Sequence, residues 1–205
     1  MTDTKKISRG RPQQFNRAEA LENAKVLFCR YGYDKTSLSQ LTKAMSIRPP
    51  SLYSAFGDKA QLFIEVLETY HKPYREKLVA IFNADEEIET ALRNFIDLNK
   101  QLHTQPDPQG CLLVNSTILL ASSTEAISEK IRSLHQLNEK LIAEFLYEKI
   151  RQGDLSADCD PSDVAVFINS QIQASALIAR RQQSATAVEV FLETALRSIL
   201  LLLNV

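Results

Sequence analysis

Between Ser37 and Lys59 the chain reads SLSQLTKAMSIRPPSLYSAFGDK, a stretch that leaves few alternatives to two short helices joined by a tight turn. Ser37 and Gln40 have the S-x-x-Q spacing of a capping box, in which each side chain satisfies a backbone N–H at a helix start. Leu38, Leu41, Ala44 and Met45 then recur at helical spacing and form one apolar face. Pro49 and Pro50 lack an N–H and clash with a preceding helical turn, yet suit the first turn of a new helix. One helix is therefore predicted to stop near Met45 and another to start near Pro49. Leu52 and Phe56 form its inner face, leaving Ser51, Tyr53 and Ser54 directed elsewhere. Such a pair is the helix-turn-helix unit, whose second helix enters the DNA major groove.

Charge supports a polyanionic partner at this end only. Residues 1–60 carry eleven Lys/Arg against five Asp/Glu, a net +6, and the remainder carries 13 against 20, a net -7. A basic end on an acidic body points to one charged interface. Residues 1–14 hold Lys5, Lys6, Arg9 and Arg11 around a Gly and before a Pro, the composition of an unstructured arm. Such an arm can place Arg in the minor groove; a solubilising tail is the other reading.

The expected class is all-α: Gly and Trp are scarce and no alternating β-branched runs occur. Asn16 with Glu19 starts a first helix, which Gly32 ends. Asp58 with Gln61 opens the next, with Pro73 predicted to kink or end it. Further helices are predicted from Asp85 to about Leu102, over Glu125–Arg151 up to Gly153, from Asp160-Pro161 to about Arg181, and over about Ala185–Leu203; residues 105–110 form a loop. The polar, basic N-terminus gives no secretory signal, and the longest apolar run, Ile199–Leu203, is too short to span a bilayer. Cysteines 29, 111 and 159 show no metal-ligand spacing and suit a reducing cytoplasm.

The string L-Y-x-x-F-x-D-K-x-x-L-F, at Leu52, Tyr53, Phe56, Asp58, Lys59, Leu62 and Phe63, together with the preceding GYDKTSLSQLTKAM, resembles the DNA-binding domain of the TetR/AcrR family of bacterial transcriptional regulators over residues 11–70. The resemblance implies a basic arm (1–14), a three-helix DNA-binding domain (15–57) and a helical ligand-binding and dimerisation domain (58–205). It also implies a repressor that leaves a palindromic operator when a small effector binds. Tyr53 and Lys59 resemble its phosphate-contacting residues, with Thr36 a further contact to the DNA backbone; base reading would fall to Arg48, Pro49, Ser51 and Ser54. Two positions depart from the family's pattern: Ser46 replaces the usual turn Gly, and Arg48 stands where Ser or Thr often caps the recognition helix.

The family's homodimer, a four-helix bundle of the last two helices of each subunit, would give a place to Ala174, Ala176, Ala179, Phe191, Leu196, Ile199, Leu200 and Leu203. Burial within one subunit is the other way to cover them. The implied pocket would be lined by Phe63, Leu67, Tyr70, Tyr74, Phe95, Leu98, Asn115, Leu119 and Ile142, an apolar set suited to a small, largely hydrophobic effector, although core packing is an equal reading for each. Residues 111–120 are too short an apolar run to read by periodicity, but the resemblance makes them a buried central helix, and Cys111 follows Gly110 at its start, where the dipole favours a thiolate. Some regulators resembling this one sense oxidants or electrophiles at a G-C-L site; the alternative is a buried, unreactive thiol. A DNA-binding regulator without a ligand also stays open. No catalytic motif, metal set or cofactor loop is present. His71, His103 and His135 fall on separate predicted helices with no spacing that unites them.

Overall fold

In the computed structural model, residues 15–105, 111–118, 124–156, 158, 160–182 and 184–205 are described, and among them there are helices and no strands. The helices are α1 (Arg17–Lys35), α2 (Leu38–Ala44), α3 (Pro49–Phe56), α4 (Lys59–Phe82), α5 (Ile88–His103), α6 (Leu112–Ile118), α7 (Glu125–Gln152), α8 (Pro161–Gln182) and α9 (Ala185–Leu203). The arm residues Lys5, Lys6, Arg9 and Arg11, the greater part of the predicted 105–110 loop, Leu119 and Cys159 lie outside the described residues.

Most starts follow the predicted caps. Gln40 N–H donates to Ser37 Oγ at 3.2 Å while Ser37 N–H donates to Gln40 Oε1 at 2.7 Å, the reciprocal box expected. Asn16, Asp58 and Asp160 accept backbone N–H groups at the starts of α1, α4 and α8. Gly32, at φ 76°, interrupts α1, and one further turn follows before Thr36. Pro73 does not end α4, which continues nine residues beyond it to Phe82. α5 starts at Ile88, three residues later than predicted, after Glu87 in extended backbone.

The turn between α2 and α3 explains why Ser46 stands out. Ile47 N–H donates to Thr42 O and Ser46 N–H to Lys43 O, the paired bonds of a Schellman motif. That geometry puts Ser46 at φ 54°, in the left-handed region where Gly costs least.

Two apolar clusters divide the core. The first joins α1–α3 to the start of α4 and to Leu112, Leu113, Ile127, Ile131 and Leu134. Phe28 and Phe63 meet at its centre, edge to face with ring centroids 4.8 Å apart. The second holds Phe82, Phe95 and Phe145 among α5, α7, α8 and α9. α4 and α7 each contribute to both, so through these two helices one end of the molecule can act on the other.

α8 and α9 turn their small and apolar stripes inward. Ala176, Ala179, Leu196, Ile199 and Leu203 are buried within the subunit's own core. The prediction that they meet a partner is therefore corrected: periodicity located the stripe, and that stripe faces α5, α7 and the other of the two helices. Of the eight named, Ala174, Phe191 and Leu200 keep partial exposure. The outward face instead carries Val166, Phe167, Leu177, Val190, Leu201 and Leu202, with Leu201 77% exposed.

Candidate DNA-binding face and ligand cavity

α3 is held by its inner edge and open on its outer one. Leu52 is fully buried and Phe56 nearly so, while Tyr53 is half exposed and Arg48, Pro49 and Ser54 are exposed. Arg48 occupies the N-cap without a side-chain bond, and Pro49 and Pro50 remove two N–H groups that would otherwise need partners. Gly57 ends α3 at φ 76°, where a Cβ would lie 2.2 Å from Gln61 Oε1.

Sequence reasoning missed the clamp on this helix. Arg17 bonds Glu65 at 2.5 and 2.7 Å, donates to Ala55 O at 3.2 Å and lies 4.5 Å over the Phe56 ring. One guanidinium thus ties α1, α3 and α4, and only its place one residue after an N-cap could have hinted at this. Thr36, by contrast, is corrected as a DNA contact. Its side chain is fully buried, its hydroxyl donates to Gly32 O at 2.6 Å and its N–H to Tyr33 O, so both donors are spent on closing α1. Lys59 lies 4.2 Å over the Tyr33 ring, and partial burial lowers its pKa.

Behind this face, a cavity of about 150 Å³ opens between α4, α5, α7, α8 and the start of α6. Tyr70 and Tyr74 line it as expected; Leu119 lies outside the described residues, and the remaining candidate liners are not on its wall. Phe63 and Leu67 belong to the first core cluster, and Phe95, Leu98 and Ile142 to the second. Asn115 is absent from the wall, although its Oδ1 is buried without a hydrogen-bond partner. The physical reason is general: residues at regular apolar spacing pack the core, and a cavity forms where the polar flanks of the same helices meet. α8, not among the predicted walls, adds Asn169, Ile172 and Gln173.

That meeting of flanks unites His71, His103 and His135, whose spacing along the chain offered no reason to join them. His71 Nε2 bonds Asn138 Oδ1 at 2.8 Å, both side chains being buried, and so links α4 to α7. His103 Nδ1 bonds Ser175 Oγ at 2.8 Å, and His135 Nε2 bonds Thr117 Oγ1 at 3.1 Å. Burial lowers all three ring pKa values, to about 4 for His103 and His135, so neutral imidazoles line the space near neutral pH. Tyr74 donates to Asn99 Oδ1 at 3.1 Å, and burial raises the pKa values of Tyr70 and Tyr74.

Cys111 also lines the cavity, ahead of α6. Burial pushes its thiol up, against the pull of the Val114 and Leu113 N–H groups and the Tyr70 hydroxyl. Of the two readings of Cys111, this favours the buried thiol over the thiolate, because desolvation outweighs the helix start. Cys29 is likewise pushed up by burial, to about 11. Among the described residues no group of three or more His, Cys, Asp or Glu is placed to hold a metal ion.

Comparison with known proteins decides the family. Residues 20–66 match the model for bacterial regulatory proteins of the tetR family, and residues 89–195 the tetracyclin repressor-like C-terminal domain. The chain belongs to the TetR family. It is a DNA-binding transcriptional regulator and not an enzyme. Among TetR-family relatives, the HTH-type transcriptional repressor ComR of Escherichia coli (strain K12) is 33% identical over 185 residues, 89% of this chain and 88% of ComR. The HTH-type transcriptional repressor BdcR of the same organism is 51% identical over 69 residues, 33% of this chain and 35% of BdcR. A solved structure of a cysteine mutant of the TetR family transcriptional regulator CifR, complexed with 26bp double-strand operator DNA, superposes with a TM-score of 0.82 at 30% identity, covering 91% of this chain and 98% of that one. No helix among the described residues of this TetR-family chain is long and apolar enough to cross a membrane.

Proposed function

We propose that the protein is a homodimeric repressor that binds a palindromic operator through α3 and releases it when a small molecule fills the cavity along α4. The observation that carries the reading is the split character of α3, with Leu52 and Phe56 sunk in the core and Arg48, Pro49, Tyr53 and Ser54 presented outward. Tyr53 and Lys59 contact phosphates and set position, whereas Arg48, Pro49, Ser51 and Ser54 read base edges. Arg48 can donate bidentately to a guanine and Pro49 can press on a thymine methyl. The basic arm, Lys5, Lys6, Arg9 and Arg11, follows the minor groove.

A second copy supplies the two-fold that a palindrome needs, placing two recognition helices about 34 Å apart. The outward apolar face of α8 and α9, with Phe167, Leu201 and Leu202, suits a self-complementary contact. The names of ComR and BdcR as repressors and the operator complex of CifR support the sign and the target.

Release follows from α4. Tyr70, His71 and Tyr74 face the cavity, and the residues just before them pack on α1–α3. α4 is tied to α7 by His71–Asn138 and by the Lys130–Glu68 ion pair at 2.5 Å. A ligand that favours one position of α4 over another changes the separation of the two recognition helices by coupling, in proportion to its preference. Selection of bound duplexes from a random pool tests the DNA reading. Enrichment of an inverted repeat is expected, and a pool without any enriched sequence would refute it.

A further inference from the structure

The eight residues of α3 are loosely finished at their start and held at their end. The N-cap residue, Arg48, makes no side-chain bond there, and the last carbonyls of any helix lack partners within it. One of these, Ala55 O, accepts from Arg17 Nη2 at 3.2 Å, which sets a cation at the negative end of the helix dipole. The same guanidinium lies 4.5 Å over the ring of Phe56, the final residue of α3. Its other bonds go to α4, where Nη1 and Nη2 donate to the two carboxylate oxygens of Glu65 at 2.5 and 2.7 Å.

Glu65 is the first of two glutamates one turn apart on α4. Glu68 pairs with Lys130 of α7 at 2.5 Å, so one face of α4 is gripped by α1 and α3 at Glu65 and by α7 at Glu68. Tyr70, in the cavity wall, follows Glu65 by five residues, about 7.5 Å of helix rise. An ion pair whose side chains are 51% and 29% accessible adds little stability unless its geometry is bidentate, as it is here. The pair is also neutral as a unit and adds little to the attraction of a polyanion. Its distinctive contribution is direction, because a planar fork fixes two bearings at once, one towards Glu65 and one towards the end of α3.

We infer that Arg17 is a positioning residue for DNA recognition, whose fork holds α3 at its reading angle with Glu65 of α4 as the anchor. The inference rests on the reading of α3 as the recognition helix and supplies the joint between that helix and α4.

The test compares the affinity of the full-length protein for an operator selected from the random pool with that for a scrambled duplex of equal length, by fluorescence anisotropy over a range of salt. Arg17→Gln/Glu65→Gln leaves the net charge unaltered. In it the operator-to-scrambled ratio is expected to fall about tenfold, with the scrambled affinity and the salt slope unchanged. Glu65→Gln alone adds one positive charge per copy, so charge by itself would tighten both duplexes alike, whereas lost positioning lowers the ratio. The control, Glu89→Gln/Arg93→Gln, breaks an exposed pair on α5 and should keep the ratio of the unaltered protein. A merely structural role lowers the active fraction and weakens both duplexes equally. That result, an unchanged ratio in the double variant, or an equal fall in the control would each overturn the inference. A salt slope reduced by about 0.9 per copy would make Arg17 a phosphate contact and overturn it too. Should the double variant fail to fold, the ratio in Glu65→Gln decides. An unaltered protein that prefers no duplex sinks the reading of α3 and this inference with it, whereas an operator preference indifferent to the Arg17 and Glu65 variants sinks this inference alone.

Discussion

Replacing Asn138 by Ala should destabilise the protein by about 2 kcal/mol, through His71 more than through Asn138 itself. His71 and Asn138 are 4% and 5% exposed, and their 2.8 Å bond joins α4 to α7 across 67 residues of chain. In Asn138→Ala the imidazole N–H stays buried with no acceptor, which costs about 1–3 kcal/mol, the desolvation of a polar group rather than the modest net value of one bond. For a chain of 205 residues, about 2 kcal/mol lowers the melting temperature by ~4–8 °C. The assay is scanning calorimetry at one fixed protein concentration, because the proposed dimer would add concentration-dependent stability. His71→Phe removes the group that Asn138→Ala leaves unpaired and is close to it in volume. The double variant should therefore lose less than the sum of the two single losses, by ~1 kcal/mol or more. Additive losses would show that the pair is not coupled, and the proposed tie between α4 and α7 would fall with it.

Acidification gives a second test. His103 is held down to about 4 by burial, so on lowering the pH the unfolded chain takes up a proton before the folded one does. Stability is complete above its unfolded pKa of about 6.5 and is lost as pH falls towards 4, by up to ~3 kcal/mol from this residue; urea midpoints across that range should climb with pH less steeply in His103→Phe. Ser46→Gly relieves the left-handed serine of the turn and should stabilise the protein by ~0.5–1 kcal/mol in urea, whereas a loss would mean that the turn does not need φ 54°. Phe167→Glu, on the outward face of α8, should yield monomers in analytical ultracentrifugation at micromolar concentration, and an unchanged dimer would place the interface elsewhere.

Much of the fold was legible because its signals are local. The Ser37–Gln40 box, the Asp160-Pro161 start and the glycine after α7 each fix a helix end within a few residues, and all three hold in the structure. The outer face of α3 was equally legible, since burying Leu52 and Phe56 leaves Tyr53 and Ser54 exposed. What the sequence could not give was convergence between elements. His71, His103 and His135 come from three helices, and only tertiary packing brings them to one cavity. Thr36 shows the same limit: a hydroxyl next to a turn can contact a phosphate or close its own helix, and burial decides between them. The inward register of α8 and α9 was ambiguous because α9 ends in Ile199–Leu203, apolar on every side, so that periodicity there distinguishes no face.

The most direct test of the DNA-binding account is the salt dependence of operator affinity, with Lys59→Ala beside the unaltered protein. Each phosphate neutralised by a cation contributes about 0.9 to the slope of log K against log salt. Loss of Lys59 from both subunits of the proposed dimer should thus reduce that slope by about 2 and weaken every duplex alike, whereas Arg48→Ala should change the preference at one base position. A flat salt response in the unaltered protein, or a slope indifferent to Lys59, would contradict the account.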